Sequence, residues 1–299
     1  MQTQTRPEIL TQKYNADQPT RKPLKETSKK KYDQAIARLK DIDLKKPQEF
    51  FDFVKEKGFG ESAEKQYLSA IKYYLIKENI AVPDAYQRRI DELYAKMNEQ
   101  DVKQELKPKL LEKFVPYDKL IEAQKKLADN KDKTDKQWID YVVASLYTLN
   151  PPIRNDFGDM KVFKRRDPRR TGNELIWNKK PIIVMRDYKT DGSKGGVELP
   201  ISKPLQEVLA EWFGRIGVIP PYVLGTKYSD TASLKLIASA FGTTGKFLGV
   251  DNLRHAYIQH HLPAIATNLE KRRNLADRML HSTDTQLKYF SQNITEQDD

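Results

Sequence analysis

The amino-acid sequence predicts a mainly α-helical protein of two domains, the second carrying a small antiparallel β-sheet. Three observations lead to that class. Apolar residues recur at helical spacing through most of the 299 positions, as in Tyr32-Ile36-Leu39 and in Trp138-Val142-Ser145-Leu146-Leu149. Between residues 174 and 202 the pattern changes to three β-rich runs, ELIWN, PIIVMRDY and GGVELPIS. They are joined through NKK and KTDGSKGG, whose Asn, Asp and Gly suit tight turns. Finally, a charged stretch punctuated by Pro83 and Pro108 separates a short aromatic-rich helical segment from a longer one.

In chain order, residues 1–26 are polar with Pro7, Pro19 and Pro23 and read as a flexible arm. Helix formation is expected from Thr27-Ser28, good N-cap residues ahead of KKKYDQAIARLKDI. KPQEFFDFVKEKGF supplies a second helix on Phe50, Phe51 and Val54, and ESAEKQYLSAIKYYLIKEN a third on Tyr67 or Leu68, Ile71, Tyr74 and Leu75. These make a helical domain over residues 27–83, followed by a junction over 84–112 in which DAYQRRIDELYAKMNEQ is itself helical. The second domain, 113–299, opens with KFVPYDKLIEAQKKLAD and the more apolar KTDKQWIDYVVASLYTL. The latter must stop at Asn150-Pro151-Pro152, because proline lacks an amide donor and disfavours helix in the residue before it. Arg154 therefore follows a buried helix end and is held by rigid prolines. After the β-rich region, LQEVLAEWF and SLKLIASAF are helical, and Thr283 with Gln286 three residues on is expected to cap a last short helix bearing Tyr289.

Composition narrows the function classes. No run of 18 or more apolar residues occurs, and MQTQTRPEILTQKYN lacks the apolar stretch of a signal peptide, so an intracellular protein without membrane contact is expected. Cysteine is absent, which removes disulfides, thiolate metal sites and cysteine nucleophiles. The histidines have no H-E-x-x-H spacing, so no metal is expected. A net charge of +11 and a pI near 9.4 favour a polyanionic partner, with nucleic acid first. The densest basic segment, KVFKRRDPRR, reads as a loop whose Lys161, Lys164, Arg165, Arg166, Arg169 and Arg170 are candidate phosphate-backbone contacts.

The candidate chemistry lies in the stretch from Asp251 to Phe290, which holds all four histidines. Arg254 is suited to clamp phosphate oxygens, His281 to donate a hydrogen bond or move a proton, and the Tyr289 oxygen to attack phosphorus. Upstream, Arg154 adds a second guanidinium, and Lys189 enters a hairpin turn at the end of a strand.

This order resembles the tyrosine recombinase (phage-integrase) family, whose members carry an arginine, a hairpin lysine, an H-x-x-R box, a second histidine or tryptophan and a nucleophilic tyrosine in sequence. The helical segment around SAEKQYLSAIKYYL also resembles that family's SAM-like core-binding domain. Several motifs depart from the pattern. T-G-x-R-x-x-E is replaced by N-P-P-I-R-N-D-F, with Asp156 standing one place early for the glutamate. The box reads D-N-L-R, with Asp251 in the usual histidine or lysine position, and His255 follows it as a possible support. L-G-H is M-L-H, and the step to the tyrosine is one residue shorter than is commonest. The P-P-x-R form resembles recombinases of eukaryotic mobile elements and large DNA viruses. The resemblance implies double-stranded DNA as substrate, cleavage through a 3′-phosphotyrosyl link without metal or ATP, and assembly as a tetramer on two DNA sites. It assigns transition-state clamping to Arg154 and Arg254, support to His281, and general-acid action to Lys189. A type IB topoisomerase and a DNA-binding relative without catalysis are the alternatives.

Overall fold

The structure is a computed structural model of the chain and describes residue 24 and residues 26–103, 108–188 and 196–290. It is mainly helical with one four-stranded sheet, and its contacts divide it between Val102 and Lys103 into two compact units.

The first unit contains α1 (Glu26–Ala37), α2 (Pro47–Glu56), α3 (Glu61–Lys77) and α4 (Asp84–Lys103). The residues expected to cap α1, Thr27 and Ser28, lie inside its first turn instead, and the expected arm falls almost wholly outside the described residues. Pro47 opens α2 at its first helical position, where a missing amide costs nothing. Phe50 and Val54 from α2 meet Tyr67, Leu68, Ile71 and Leu75 from α3. The helix that the sequence placed in the interdomain junction adds Tyr86, Ile90 and Leu93 to this same core. α4 thus belongs structurally to the first unit, because its apolar side has buried partners there. The buried carboxylate of Glu64 is held by Arg89 through two hydrogen bonds of 2.7 and 2.9 Å.

The second unit begins with α5 (Pro108–Glu112), α6 (Tyr117–Asp129) and α7 (Asp135–Thr148). α7 starts with a capping box: the Thr134 hydroxyl accepts from the Gln137 amide, and the Gln137 side chain accepts from the Thr134 amide. Every residue from Asp140 to Thr148 is buried, and α7 packs against α6 and against α8 (Lys203–Ile216) and α9 (Asp230–Ala240). It is the central helix of the unit. α10 (Val250–His261), α11 (Leu269–Arg278) and α12 (Thr283–Tyr289) complete it.

The sheet runs β1 (Lys161–Phe163), β2 (Glu174–Ile176), β3 (Ile182–Met185) and β4 (Val197–Pro200) in that spatial order. β2, β3 and β4 are antiparallel as the turn chemistry predicts, with Ile183 opposite Leu175 on one side and Leu199 on the other. The expectation of a purely antiparallel sheet is corrected by β1, which pairs in parallel with β2. The strand occupies the first three residues of the segment read as a basic loop. Three residues carry too little periodicity to separate strand from coil, and the charge density hid Val162, which is buried.

Candidate active site

The end of α7 is bolted down before it delivers Arg154. Asn150 donates to the Pro200 carbonyl (3.3 Å) and accepts from the Ser202 amide (2.9 Å), while the Ser202 hydroxyl donates to the Leu149 carbonyl (2.7 Å). Pro151, Pro152 and Ile153 are buried, and the Tyr147 hydroxyl donates to the carbonyl of Arg154 at 3.3 Å. Beyond the arginine, the Gly158 carbonyl accepts from the Tyr228 amide (2.8 Å). A Cβ at Gly158 would lie 1.9 Å from the Ser233 hydroxyl, so this close approach requires glycine. Arg154 itself is half-buried, and its Nη1 is a buried donor with no hydrogen-bond partner among the described residues.

Arg254 is fully enclosed, at 0% exposure. It sits on the inner side of α10, where the Asn252 side chain accepts from the Gly249 amide at 3.0 Å and fixes the first turn. Its Nη1 donates to the Pro152 carbonyl (2.8 Å) and its Nη2 to the Met279 carbonyl (3.1 Å). One guanidinium therefore ties the Arg154 loop to the end of α11. Burial lowers its pKa; the Tyr289 oxygen opposes that, and the charge of Arg154 reinforces it. The two guanidiniums are thus close enough to feel each other, although they come from segments a hundred residues apart.

α11 ends in a Schellman motif: the Leu280 amide donates to the Asp277 carbonyl (3.0 Å) and the His281 amide to the Ala276 carbonyl (3.0 Å). The left-handed residue is Leu280, φ 57°, rather than the usual glycine. A leucine there costs on the order of 1 kcal/mol, and its side chain is buried in compensation. This turn aims the Met279 carbonyl at Arg254 and places His281, 2% exposed, in the interior. His281 Nδ1 donates to the Ser282 carbonyl (2.9 Å), which fixes the orientation of the ring. Ser282, not Thr283, caps α12: it is extended and its hydroxyl accepts from the Thr285 amide at 3.1 Å. Both residue types cap well, and the Schellman turn that follows α11 and closes at His281 selects the first of them. Gln286, expected to reach back to the cap, is instead fully buried and directed to the Arg272 carbonyl (3.4 Å).

Tyr289, the last residue of α12, meets the other candidates directly. Its ring centroid is 4.9 Å from the Arg254 guanidinium carbon, 5.7 Å from the His281 ring and 4.9 Å from the His255 ring. His255 Nδ1 lies 2.8 Å from the Tyr289 carbonyl. Burial lowers the His255 pKa, with the Tyr289 carbonyl and Asp251 acting against that shift. Asp251 is exposed on the first turn of α10 and reaches Arg254 and His255 only by its charge. Asp156 belongs to the same neighbourhood. Burial pushes its carboxyl up to about 6; Arg154 and Arg254 oppose the shift, while Asp159 and Asp187 add to it.

Lys189 lies outside the described residues. The strand that leads to it is anchored close to the Arg154 loop, however. The Asn173 side chain donates to the Asp187 carbonyl (2.7 Å) and to Asp156 (3.4 Å), and accepts from the amides of Arg186 and Asp187 (2.9 Å each). The basic segment divides into two kinds of residue. Arg170 is committed to the buried carboxylate of Glu174 (2.9 Å) and lies over the Phe163 ring (3.5 Å), with Arg186 on the other Glu174 oxygen (2.7 Å). Arg169 pairs with Asp167 (3.0 Å) and Arg166 with Glu198. Lys161 is an exposed side chain on β1, and Lys164 and Arg165 are exposed with no ion-pair partner among the described residues. The carbonyl hooks of Pro152 and Met279, the Tyr147 brace and the Asn173 clamp escaped sequence reasoning. Of these, only the Pro-Pro pair left a signal, because backbone acceptors and braces have no residue-type signature.

No protein-family model and no curated protein matches the sequence. Among solved structures the chain is similar to one described as the crystal structure of XerA recombinase. The two share 13% identity over 96% of this chain and 92% of that one, with a TM-score of 0.44.

Proposed function

We propose that this protein is a DNA strand-exchange enzyme of the tyrosine-recombinase type, acting as a site-specific integrase or recombinase on double-stranded DNA. The supporting observation is the packing of Tyr289 against Arg254 and His281 beside the Arg154 loop. In this reading the Tyr289 phenol gives up its proton to water and its oxygen forms a bond to a DNA phosphorus as the bond to the 5′ oxygen breaks. The product is a 3′-phosphotyrosyl link and a 5′-hydroxyl. Lys189 supplies the proton taken by the departing oxygen, and a 5′-hydroxyl from a partner strand reverses the step. The energy of the broken bond is retained in the protein–DNA link, so neither ATP nor metal takes part. Negative charge gathers on the non-bridging oxygens, where Arg154 and His281 donate and Arg254 contributes its buried charge. Preorganised donors of this kind are worth roughly 3–4 kcal/mol each at comparable anionic centres. Lys161, Lys164 and Arg165 contact the flanking backbone, and two DNA sites are brought together by a tetramer of the chain.

Incubation with a randomised pool of nicked duplexes tests this reading. The wild-type protein is expected to give a detergent-stable adduct mapping to the Tyr289 peptide, and Tyr289→Phe to give none. Trapping that survives this change removes Tyr289 from its role. The enclosure of Arg254, with both terminal nitrogens on carbonyls, favours a second reading in which the protein binds DNA without cleaving it. Binding with no adduct on any member of the pool would support that alternative, and relaxation of supercoiled plasmid without site preference a topoisomerase.

A further inference from the structure

α10 grips Tyr289 at two points, and only one of them is the side chain. Arg254 faces the ring and hydroxyl. The next residue, His255, reaches the main chain: its Nδ1 is 2.8 Å from the Tyr289 carbonyl, and its ring packs edge-on against the tyrosine ring at 70°. A carbonyl oxygen only accepts, so Nδ1 carries the proton and donates. The acceptor is one of the last carbonyls of α12, which have no partner within a helix. α12 spans only Thr283–Tyr289, too short to persist on its own, so the position of its final residue depends on contacts from outside. Burial favours the neutral ring, and the bond needs no charge on it.

We propose that His255 is a positioning residue for Tyr289: its Nδ1–H holds the terminal carbonyl of α12 and thereby fixes the Cα from which the phenol is swung toward phosphate. This rests on the reading of Tyr289 as the attacking group. The tautomer makes the role specific. An asparagine at 255 places an amide N–H near the Nδ1 position, a glutamine places one near Nε2, and a phenylalanine keeps the ring contact with no donor.

The full chain and its His255→Phe, His255→Gln and His255→Asn variants are compared in two ways. First, amide exchange is followed in the peptide covering 283–290. Losing one hydrogen bond of ordinary strength should speed exchange there about 5- to 10-fold in the Phe and Gln variants, with Asn close to wild type. Second, single-turnover adduct formation is measured on the nicked duplex selected from the random pool by wild-type protein. Misplacing the nucleophile should slow that step about 10- to 100-fold in Phe and Gln, with DNA affinity within about threefold and Asn restoring most of the rate. A variant whose tryptophan-monitored unfolding midpoint collapses is replaced in the comparison by the Asn–Gln pair, which differ only in where the donor sits. Wild-type exchange and wild-type adduct rates in His255→Phe would overturn the proposal, as would an Asn variant that behaves like Gln. If Tyr289→Phe still forms adduct, the reading of Tyr289 falls; the exchange measurement then decides by itself whether His255 holds the carbonyl.

Discussion

Asp156 lies beside two guanidiniums and yet holds its proton more tightly than a free aspartate, because loss of hydration outweighs their attraction. Its pKa is raised from 3.8 to about 6 in the folded protein. Between those values the native state binds a proton that the unfolded chain has released, so stability falls as pH rises through the window. Two pKa units at about 1.4 kcal/mol each set a ceiling of about 3 kcal/mol. Because Asp156 is only half-buried, about 1–2 kcal/mol is the expected size. Asp156→Asn removes the titration. The stability of the variant relative to wild type should therefore be constant below pH 4, rise between about pH 4 and 6, and level off above. Any fixed offset from the amide's own contacts cancels in that profile. Urea unfolding followed by tryptophan fluorescence is the assay, since Trp138, Trp177 and Trp212 all lie in the second unit with Asp156. A difference that stays flat from pH 3.5 to 8, or one that declines as pH rises, refutes the reasoning.

His261 provides the opposite slope. Burial, with help from His260 and Arg278, depresses its pKa from 6.5 to about 4, so wild-type stability should drop as pH falls through that interval. Partial solvation limits the loss to about 1–2 kcal/mol, and His261→Phe, which keeps the packing on Tyr257 (4.2 Å), should abolish it in the same unfolding assay. Glu174→Ala strands Arg170 and Arg186 without their shared buried partner. Removing one member of a buried ion cluster costs about 3–5 kcal/mol, measured as a lower urea midpoint; an unchanged midpoint would mean that the arginines reach water at no cost. Gly158→Ala should destabilise by about 1–3 kcal/mol through collision with the Ser233 hydroxyl, and Ser233→Ala should restore most of it. A double-mutant cycle with no coupling between 158 and 233 would contradict the close approach.

The helices were readable because their burial repeats locally. Trp138, Val142 and Leu146 on α7, and Phe50 and Val54 on α2, announce a buried side within a few turns of their own sequence. The stop at Asn150-Pro151-Pro152 and the change to β-rich runs after residue 173 are equally local, as is the presence of Arg154, Arg254, His281 and Tyr289 in order. Three-residue β1, the choice of Ser282 over Thr283 as cap, and the burial of Tyr86 on α4 were not, since each is settled by what packs alongside. Likewise the six cations of one basic segment look alike in sequence, and only the fold turns Arg170 inward to Glu174 while leaving Lys164 and Arg165 in solvent.

The residue types of the proposed phosphate chemistry, and their order along the chain, are set by the sequence alone. Tertiary structure decided that Arg254 spends its donors on the carbonyls of Pro152 and Met279, and that Tyr289 comes to rest between Arg254, His281 and His255. The reason is physical: periodicity records which side of an element is buried, whereas main-chain acceptors are identical at every residue and acquire a role only when packing brings a particular donor to one of them.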